Sequence, residues 1–583
     1  MKNDYIVRKT YYSFVLVAIL SSLTATAGML IDNIIVGRYL GSEALGAMGI
    51  VGPVSLIFSA IGNICSGGGG ARAAQALGRG EKHSFCLIFT TNMLFVLIMG
   101  SILMAVGLIF APSIAVLLGA KGALVEPATE YLYGFFLGTV PTILLSAMMC
   151  FVRIDGSPKL PLLCIGVMTA ANITLDLLMV HVFHQGMFGM ALATSVSYVL
   201  AVATAMTHFR KKDARLHLVR PEGFFRDLQQ TVITGFPTAI SRISDTCKVM
   251  ILNHLLVTYV CVAAVTALNV RTTVSNFLGA VVLGIGQAAT PTIGMFYGEE
   301  DATAVKDTLK TTLRLGLGIN GVLGLILLVF PEFFARLLGV KDPELMEMSV
   351  MAIRLFGLGM PLQLINSVML NFYQCTKKVA MATMICILQS LVYTVLFSAV
   401  LIQPMGHMGV WAAFFMGEVL TILTVGLVLC MKQRKLRISL DAVMMLGDSF
   451  GRDQKDRLEL SIGNSMEEVM AISSGIYEFG ENRCIGRQTL NTLSLCIEEM
   501  AGNVVQHAFK PGEKRWLDVT IVDKPDTVIV RIRDNGADFD PLAYVSNADS
   551  DGYGIRMIHK LAEEFQYRRS MGLNNLIIHL RKE

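Results

Sequence analysis

The chain of 583 residues is 54% hydrophobic and only 16% charged, with a formal net charge of +4 at pH 7. Soluble domains usually have about a quarter of their residues charged, so this composition excludes a single soluble protein. The small net charge gives no indication of nucleic-acid binding, and the 11 cysteines form no metal-binding or disulfide pattern. Long apolar runs extend to about Cys430, and charged residues are frequent from Lys432 onward. We therefore predict a membrane part, residues 1–437, followed by a soluble part, residues 438–583.

About twelve membrane-spanning helices are predicted in the first part, because each apolar run approaches the roughly 20 residues that cross a bilayer. The predicted spans begin near Tyr11, Gly46, Ser84, Leu124, Leu160, Gly186, Leu228, Val260, Thr311, Ser349, Ala380 and His407. Lys and Arg are concentrated in alternate loops. By the positive-inside rule, this bias predicts that the N- and C-termini are both cytoplasmic.

An internal repeat divides these spans into two sets of six. "LLGAK" at Leu117 recurs as "LLGVK" at Leu337, and "FLGTVP" and "GMFGMA" recur as "FGLGMP" and "GHMGVW", all at an offset of 220 residues. The repeat predicts an N-lobe at about 1–220 and a C-lobe at about 221–437. Two such lobes around a central cavity are typical of secondary transporters. An ancient duplication in a channel or receptor is the alternative.

Acidic residues inside predicted spans are candidates for function, because a carboxylate in the bilayer costs several kcal/mol. Asp32 lies in the first span, and Asn172 and Asp176 lie in the fifth. The spacing of Asn172 and Asp176 places both side chains on one helical face. Oxygen ligands of this kind suit Na⁺ or a proton. A hydrogen bond that only packs helices together is the alternative.

The membrane part resembles the multidrug and toxic compound extrusion (MATE) transporters. The resemblance covers roughly residues 1–435 and rests on "IDNIIVGRYLG" in the first span, "NITLD" in the fifth, and the two six-helix lobes. It implies export of organic cations, xenobiotics or related amphiphiles across the bacterial inner membrane, driven by inward Na⁺ or H⁺. The coupling-ion site that it implies consists of Asp32, Asn172, Asp176 and Thr194.

Other charges in predicted spans are weaker signals. Arg242, Asp245 and Lys248 follow one another at intervals of three residues and could neutralise each other, and Glu418 could line the C-lobe cavity. Each of these residues could serve either helix packing or transport, and the sequence favours neither.

The soluble part is predicted to be an α/β sandwich, because segments with alternating hydrophobicity are interleaved with segments of helical period. The strands include "WLDVTIVD" and "TVIVRIRD", and the last helix is "GIRMIHKLAEEF". Glu499 and Asn503 share a helical face in "IEEMAGNVVQHAF" and offer a proton acceptor and a Mg²⁺ ligand. Asp534 and Gly536 follow a strand in "DNGADFDP", where a carboxylate can accept a hydrogen bond from an adenine amino group. Gly552 and Gly554 precede a helix in "DGYGIRM", where backbone N–H groups suit phosphate.

In this order the three motifs resemble the GHKL (Bergerat-type) ATPase fold of histidine kinases, gyrase and Hsp90, and in particular the anti-sigma-factor serine kinases. The resemblance implies Mg-ATP as cofactor and a protein phosphorylation partner of the anti-anti-sigma type. It assigns Glu499 as general base and Asn503 as Mg²⁺ ligand. Asp534 and Gly536 would bind the adenine, and Gly552 and Gly554 would bind the phosphates. Asp540 to Asp551 would form a short lid. A domain that only senses ATP remains the alternative.

Together these features predict an ion-coupled antiporter for amphiphilic or cationic substrates, embedded in membrane lipids and carrying a regulatory ATP-binding domain. Two alternatives stay open. A lipid-linked precursor flippase shares the broad membrane fold, but a pyrophosphate cargo would favour cavity Arg and Lys over Asp32 and Asp176. A membrane sensor kinase would use the transmembrane half only to detect a ligand.

Overall fold

The computed structural model describes residues 4–211, 214–433, 439–446, 450, 457–509, 513, 515–537, 540–541 and 553–582. Helices dominate the described residues up to Met444. They are α1 (Tyr5–Ile35), α2 (Gly41–Asn63), α3 (Gly70–Arg79), α4 (Lys82–Leu117), α5 (Val125–Leu137), α6 (Thr139–Ile154), α7 (Leu160–His181), α8 (Gly186–Met206), α9 (Phe224–Tyr259), α10 (Val262–Gly298), α11 (Ala302–Val329), α12 (Pro331–Leu337), α13 (Pro343–Cys375), α14 (Val379–Ile387), α15 (Tyr393–Met405), α16 (His407–Gln433) and α17 (Leu440–Met444).

The helices confirm a polytopic membrane protein, although the number of spans differs slightly from the prediction. Among the described residues, ten helices are long and apolar enough to cross a bilayer, or eleven if α5 and α6, bent by 49°, count as one span. The sequence predicts about twelve. The remaining predicted span corresponds to α9, which has 36 residues but carries Arg242, Asp245 and Lys248 along its length. Those charges lower its mean hydropathy, so length and composition alone do not identify it as a span.

Buried apolar side chains form separate cores in the two halves of the membrane part. One core contains residues between Ile35 and Leu216. Two smaller cores contain residues between Leu252 and Trp411, and between Val270 and Met360. The residues of each of these three cores come from one half of the membrane part.

A glycine-rich turn lets two helices approach very closely. The chain between α2 and α3 forms one π-helical turn, Ile64–Gly69, within the sequence "ICSGGGG". A Cβ added at Gly68 would meet the backbone nitrogen of Gly235 in α9 at 2.6 Å. Only a glycine fits at this contact, so the sequence "GGGG" serves helix packing here.

The soluble part contains one antiparallel sheet of five strands with helices packed on it. The strands are β1 (Arg457–Gly463), β2 (Trp516–Asp523), β3 (Thr527–Asp534), β4 (Glu564–Ser570) and β5 (Leu573–Arg581), and the helices are α18 (Met466–Glu481), α19 (Arg487–Asn503) and α20 (Tyr553–Leu561). The strand order is β1-β2-β3-β5-β4. This arrangement confirms the predicted mixed α/β domain. The sequence pattern extended the last helix through Phe565, whereas Glu564 and Phe565 begin β4, which the pattern did not reveal.

Two short segments from earlier in the chain belong to the same compact unit as the soluble part. That unit comprises Met1–Tyr12, Glu300–Asp307 and Met445–Glu583, and the remaining residues form the second unit. Within the first unit, Asp301 is almost fully buried, and its Oδ2 lies 3.3 Å from Nη1 of Arg533 and 3.7 Å from Nη2 of Arg457. Its other oxygen, Oδ1, accepts a hydrogen bond of 3.0 Å from the backbone N–H of Ala304. Asp301 thus caps the start of α11 and pairs with the end of β3.

Candidate functional site

Three of the four predicted coupling-ion residues, Asp32, Asn172 and Asp176, come together in the N-lobe. The side-chain amide of Asn172 donates hydrogen bonds from Nδ2 to Oδ1 of Asp32, at 2.6 Å, and to Oδ2 of Asp176, at 2.8 Å. Asp176 is completely buried, and Asn172 is 6% exposed. Asn172 and Asp176 lie on one face of α7 because they are four residues apart, whereas the contact with Asp32 joins helices that are far apart in the sequence.

One carboxylate oxygen in this cluster has no partner. Oδ1 of Asp176 is buried and accepts no hydrogen bond from the described residues. An orphaned, buried acceptor is costly unless a proton or a cation satisfies it. The cluster therefore fits the binding of a single small cation.

Ser197 occupies the position in the cluster that the sequence analysis gave to Thr194. The hydroxyl of Ser197 donates to Oδ1 of Asn172 at 3.1 Å and to the backbone oxygen of Thr194 at 2.7 Å. The hydroxyl of Thr194 donates instead to the backbone oxygen of Met190 at 3.2 Å. Helical spacing alone could not choose between these neighbours, because the choice depends on how α8 is rotated against α7.

The orientation of the Asn172 amide determines whether a proton or Na⁺ can bind without a rearrangement of that side chain. The amide presents its N–H₂ group to both acids and its oxygen to Ser197. A proton shared between the carboxyl groups fits this orientation as it stands. Na⁺ prefers oxygen ligands, so its binding requires the amide to turn its oxygen toward the acids. Both cations use the same two carboxylates.

The C-lobe contains a second polar cluster, centred on Glu418 in α16. Glu418 Oε2 accepts a 2.8 Å hydrogen bond from Asn366 of α13, and Oε1 accepts a 3.2 Å bond from Gln389. Lys248 and Asp245 form an ion pair of 2.8 Å on α9. Arg242, which precedes them on α9, is exposed. The sequence analysis did not single out Arg271 of α10, which is 9% exposed and lies beside this cluster.

In the soluble part, the structure distinguishes the two adjacent glutamates of α19. Glu498 accepts hydrogen bonds from the hydroxyls of Ser473 and Ser494. Within the described residues, the side chains of Glu499 and Asn503 make no hydrogen bond. Glu499 is partly exposed and one helical turn from Asn503. It is therefore the glutamate whose carboxylate is available to a reacting group.

Asp534 is held rigidly at the end of β3. Its Oδ1 accepts hydrogen bonds from the backbone N–H of Gly536, at 2.7 Å, and from Nδ2 of Asn574 on β5, at 2.9 Å. The side chain is 3% exposed, and this burial raises the pKa of the carboxyl above its usual range. Within the described residues Oδ2 accepts no hydrogen bond, so it remains available to an adenine amino group.

Gly554 lies against α19, and Gly536 lies against the π-helical turn Val504–Ala508 that follows it. A Cβ at Gly554 would collide with the carboxylate of Glu499, and a Cβ at Gly536 would meet the backbone oxygen of Ala508 at 2.8 Å. Three of the predicted motifs therefore meet around one helix end. Gly552 and most of the predicted lid, Asp540 to Asp551, lie outside the described residues. A separate cleft of about 250 Å³ between β1 and α18 is lined by none of the predicted ATP-site residues.

Comparison with known proteins identifies both parts of the chain. The family model described as MatE matches residues 18–178 and 237–400, and the model described as histidine kinase-like ATPase domain matches residues 464–580. The multidrug export protein MepA of Staphylococcus haemolyticus is 23% identical over 430 residues, covering 73% of this chain and 94% of MepA.

Solved structures show the same membrane fold. An outward-facing multidrug resistance MATE family transporter of the MOP superfamily superposes with a TM-score of 0.68 at 20% identity, covering 72% of this chain and 94% of that one. A MOP superfamily transporter from Pyrococcus furiosus, described as having a binding pocket of reverse polarity, also gives 0.68 at 20% identity, covering 74% and 97%.

Proposed function

Because the chain belongs to the MatE family of transporters, we propose that it exports amphiphilic, mostly cationic compounds in exchange for Na⁺ or H⁺. Its relative MepA is a multidrug export protein, which supports substrates of this broad class. The sequence bias of Lys and Arg supports a location in the bacterial cytoplasmic membrane with both termini on the cytoplasmic side.

The observation that carries this proposal is the amide bridge between two buried acids. Asn172 joins Asp32 and Asp176, and one oxygen of Asp176 has no partner among the described residues. A site that holds two carboxylates close together binds one cation strongly and releases it when the surroundings change. Cation binding in the N-lobe can therefore be exchanged against substrate binding, as alternating access requires.

Transport driven by an imposed gradient tests the proposal. Purified protein in liposomes should release a cationic dye when a Na⁺ or pH gradient is imposed without ATP. Truncation after Arg437 should leave this activity in place, because the membrane part holds its own ion site. Release that strictly requires ATP, or no exchange by a correctly inserted protein, would contradict an ion-driven antiporter.

We further propose that the soluble part binds Mg-ATP and regulates the carrier. Asp534 and Gly536 would receive adenine, Gly552 and Gly554 the phosphates, and Asn503 the Mg²⁺ ion. This assignment is supported by the match to the histidine kinase-like ATPase domain and by the convergence of three motifs on the end of α19. Glu499 is suited to act as general base, toward water or a protein hydroxyl of an anti-anti-sigma-type partner.

Asp301 supports a physical route for that regulation. Arg533, its ion-pair partner, directly precedes the adenine-side residue Asp534. Asp301 also caps α11, whose length and composition suit a membrane span. A change at the nucleotide site that shifts β3 would therefore act on the first turn of α11. ATP binding can in this way adjust transport without powering it.

A further inference from the structure

The C-lobe contains a buried arginine whose hydrogen-bond donors are unused. Arg271 lies on α10 and is 9% exposed. Its guanidinium carbon is 3.5 Å from the ring centroid of Phe414 and 5.3 Å from that of Phe356. Within the described residues it makes no hydrogen bond or ion pair. Arg has five N–H donors, so this side chain presents unused donors to a ligand.

The charged groups around Arg271 already have partners of their own. Glu418 interacts electrostatically with Arg271 but makes its hydrogen bonds to the amides of Asn366 and Gln389. Lys248, whose ammonium lies 5.7 Å from the Phe414 centroid, is paired with Asp245. Arg271 is therefore the member of this cluster that lacks an acceptor, among the residues that the structure describes. The missing acceptor has to come from outside the cluster.

The repeat shows that this cluster is particular to the C-lobe. The 220-residue offset relates Arg271 to Val51, Phe414 to Thr194, and Glu418 to Tyr198. The two lobes thus use different chemistry, with acids in the N-lobe and an arginine beside aromatic rings in the C-lobe. A charged residue inside a membrane part is expected to contact substrate or ions.

From these contacts we infer that Arg271 receives the carboxylate of an amphiphilic substrate. The planar guanidinium matches a carboxylate through two parallel hydrogen bonds. The rings of Phe414 and Phe356 provide an apolar surface for the aromatic body of the same molecule. Arg271 therefore selects, among the proposed substrates, those that carry a carboxylate beside an aromatic body. This inference rests on the proposed export function.

A matched pair of dyes tests the inference. Rhodamine 110 carries a free carboxylate, and rhodamine 123 is its methyl ester. In liposomes with an imposed cation gradient, wild-type protein should export both. Arg271→Met should reduce export of rhodamine 110 by about tenfold or more, the loss expected for hydrogen bonds to a charged group, and change export of rhodamine 123 less than twofold. Arg271→Lys should export rhodamine 110 at a rate between those of the wild type and Arg271→Met, because it keeps the charge but loses the planar pair of donors.

Controls separate this inference from the export function itself. Arg336→Met, at an exposed arginine of α12, should leave both dyes unaffected. Wild-type protein that exports the ester but not the free acid would overturn the inference without any variant. Equal loss of both dyes by inserted Arg271→Met would also overturn it, because the role would then be structural. If wild-type protein exports neither dye, the proposed function fails first.

Discussion

Replacement of Asp534 by asparagine should remove most of the affinity for Mg-ATP while leaving the soluble part folded. In the native chain, Oδ1 accepts from Gly536 and Asn574, and Oδ2 is available to the adenine amino group. Asparagine keeps an oxygen for the first two bonds and places an N–H₂ group at the position of Oδ2. That group is a donor and cannot accept from adenine.

The expected loss follows from one hydrogen bond to a charged group, which is worth about 1.5–3 kcal/mol. At about 1.4 kcal/mol per factor of ten, Kd should rise by about ten- to a hundredfold. Asp534→Ala is a poorer test, because it also leaves the N–H groups of Gly536 and Asn574 without an acceptor. Each such loss costs about 1–3 kcal/mol of folding stability.

Calorimetry with a non-hydrolysable ATP analogue and Mg²⁺ should be performed on the purified full-length protein. Asp526→Asn provides a matched control, since it makes the same change at an exposed hairpin residue. Its affinity should equal that of the wild type. If Asp534→Asn is as stable as the wild type and binds within twofold of it, the assignment of adenine to β3 is wrong.

Four further changes have defined outcomes. Asp32→Asn should abolish gradient-driven dye export, while Glu332→Gln, at an exposed carboxylate, should export normally. Glu499→Gln should keep ATP affinity but lower hydrolysis or phosphotransfer by about 10²–10⁴-fold; an unchanged rate would remove it as the base. Because burial raises the pKa of Asp534, its carboxylate should become protonated at a pH at which ordinary aspartates are still ionised. ATP affinity should therefore fall as the pH is lowered through that range, and an unchanged affinity there would contradict the assignment. Asp301→Asn should weaken the effect of ATP on transport more than ATP binding itself, as titrations of both would reveal.

The fold was largely predictable because its signals are local. Apolar runs indicate the helices, the constant offset indicates the repeat, and alternating residues give β2 and β3 at the bounds that the structure has. The span predicted from near Leu228 corresponds to α9, a helix of 36 residues whose charges keep it outside the count by length and composition. Strand β4 is an exception, since the helical pattern of "GIRMIHKLAEEF" runs into its first two residues, and the strand is recognised only by its pairing with β5.

The sites were less predictable because they depend on contacts between distant segments. Helical spacing places Asn172 beside Asp176, but only the packing of α1 on α7 brings Asp32 to the same amide. Ser197 replaces Thr194 next to that amide through the rotation of α8. Arg271 is a single arginine in an apolar run, and nothing in the sequence distinguishes a buried arginine from one at a helix end.

Direct observation of the coupling cation tests the central claim most closely. Addition of substrate to liposomes without ATP should cause an opposing flux of H⁺ or Na⁺, detected with a pH-sensitive dye or radioactive Na⁺. In Asp176→Asn that flux should disappear although substrate still binds, because the acid with the unpartnered oxygen is lost. An undiminished cation flux in Asp176→Asn would contradict ion coupling through Asp32, Asn172 and Asp176.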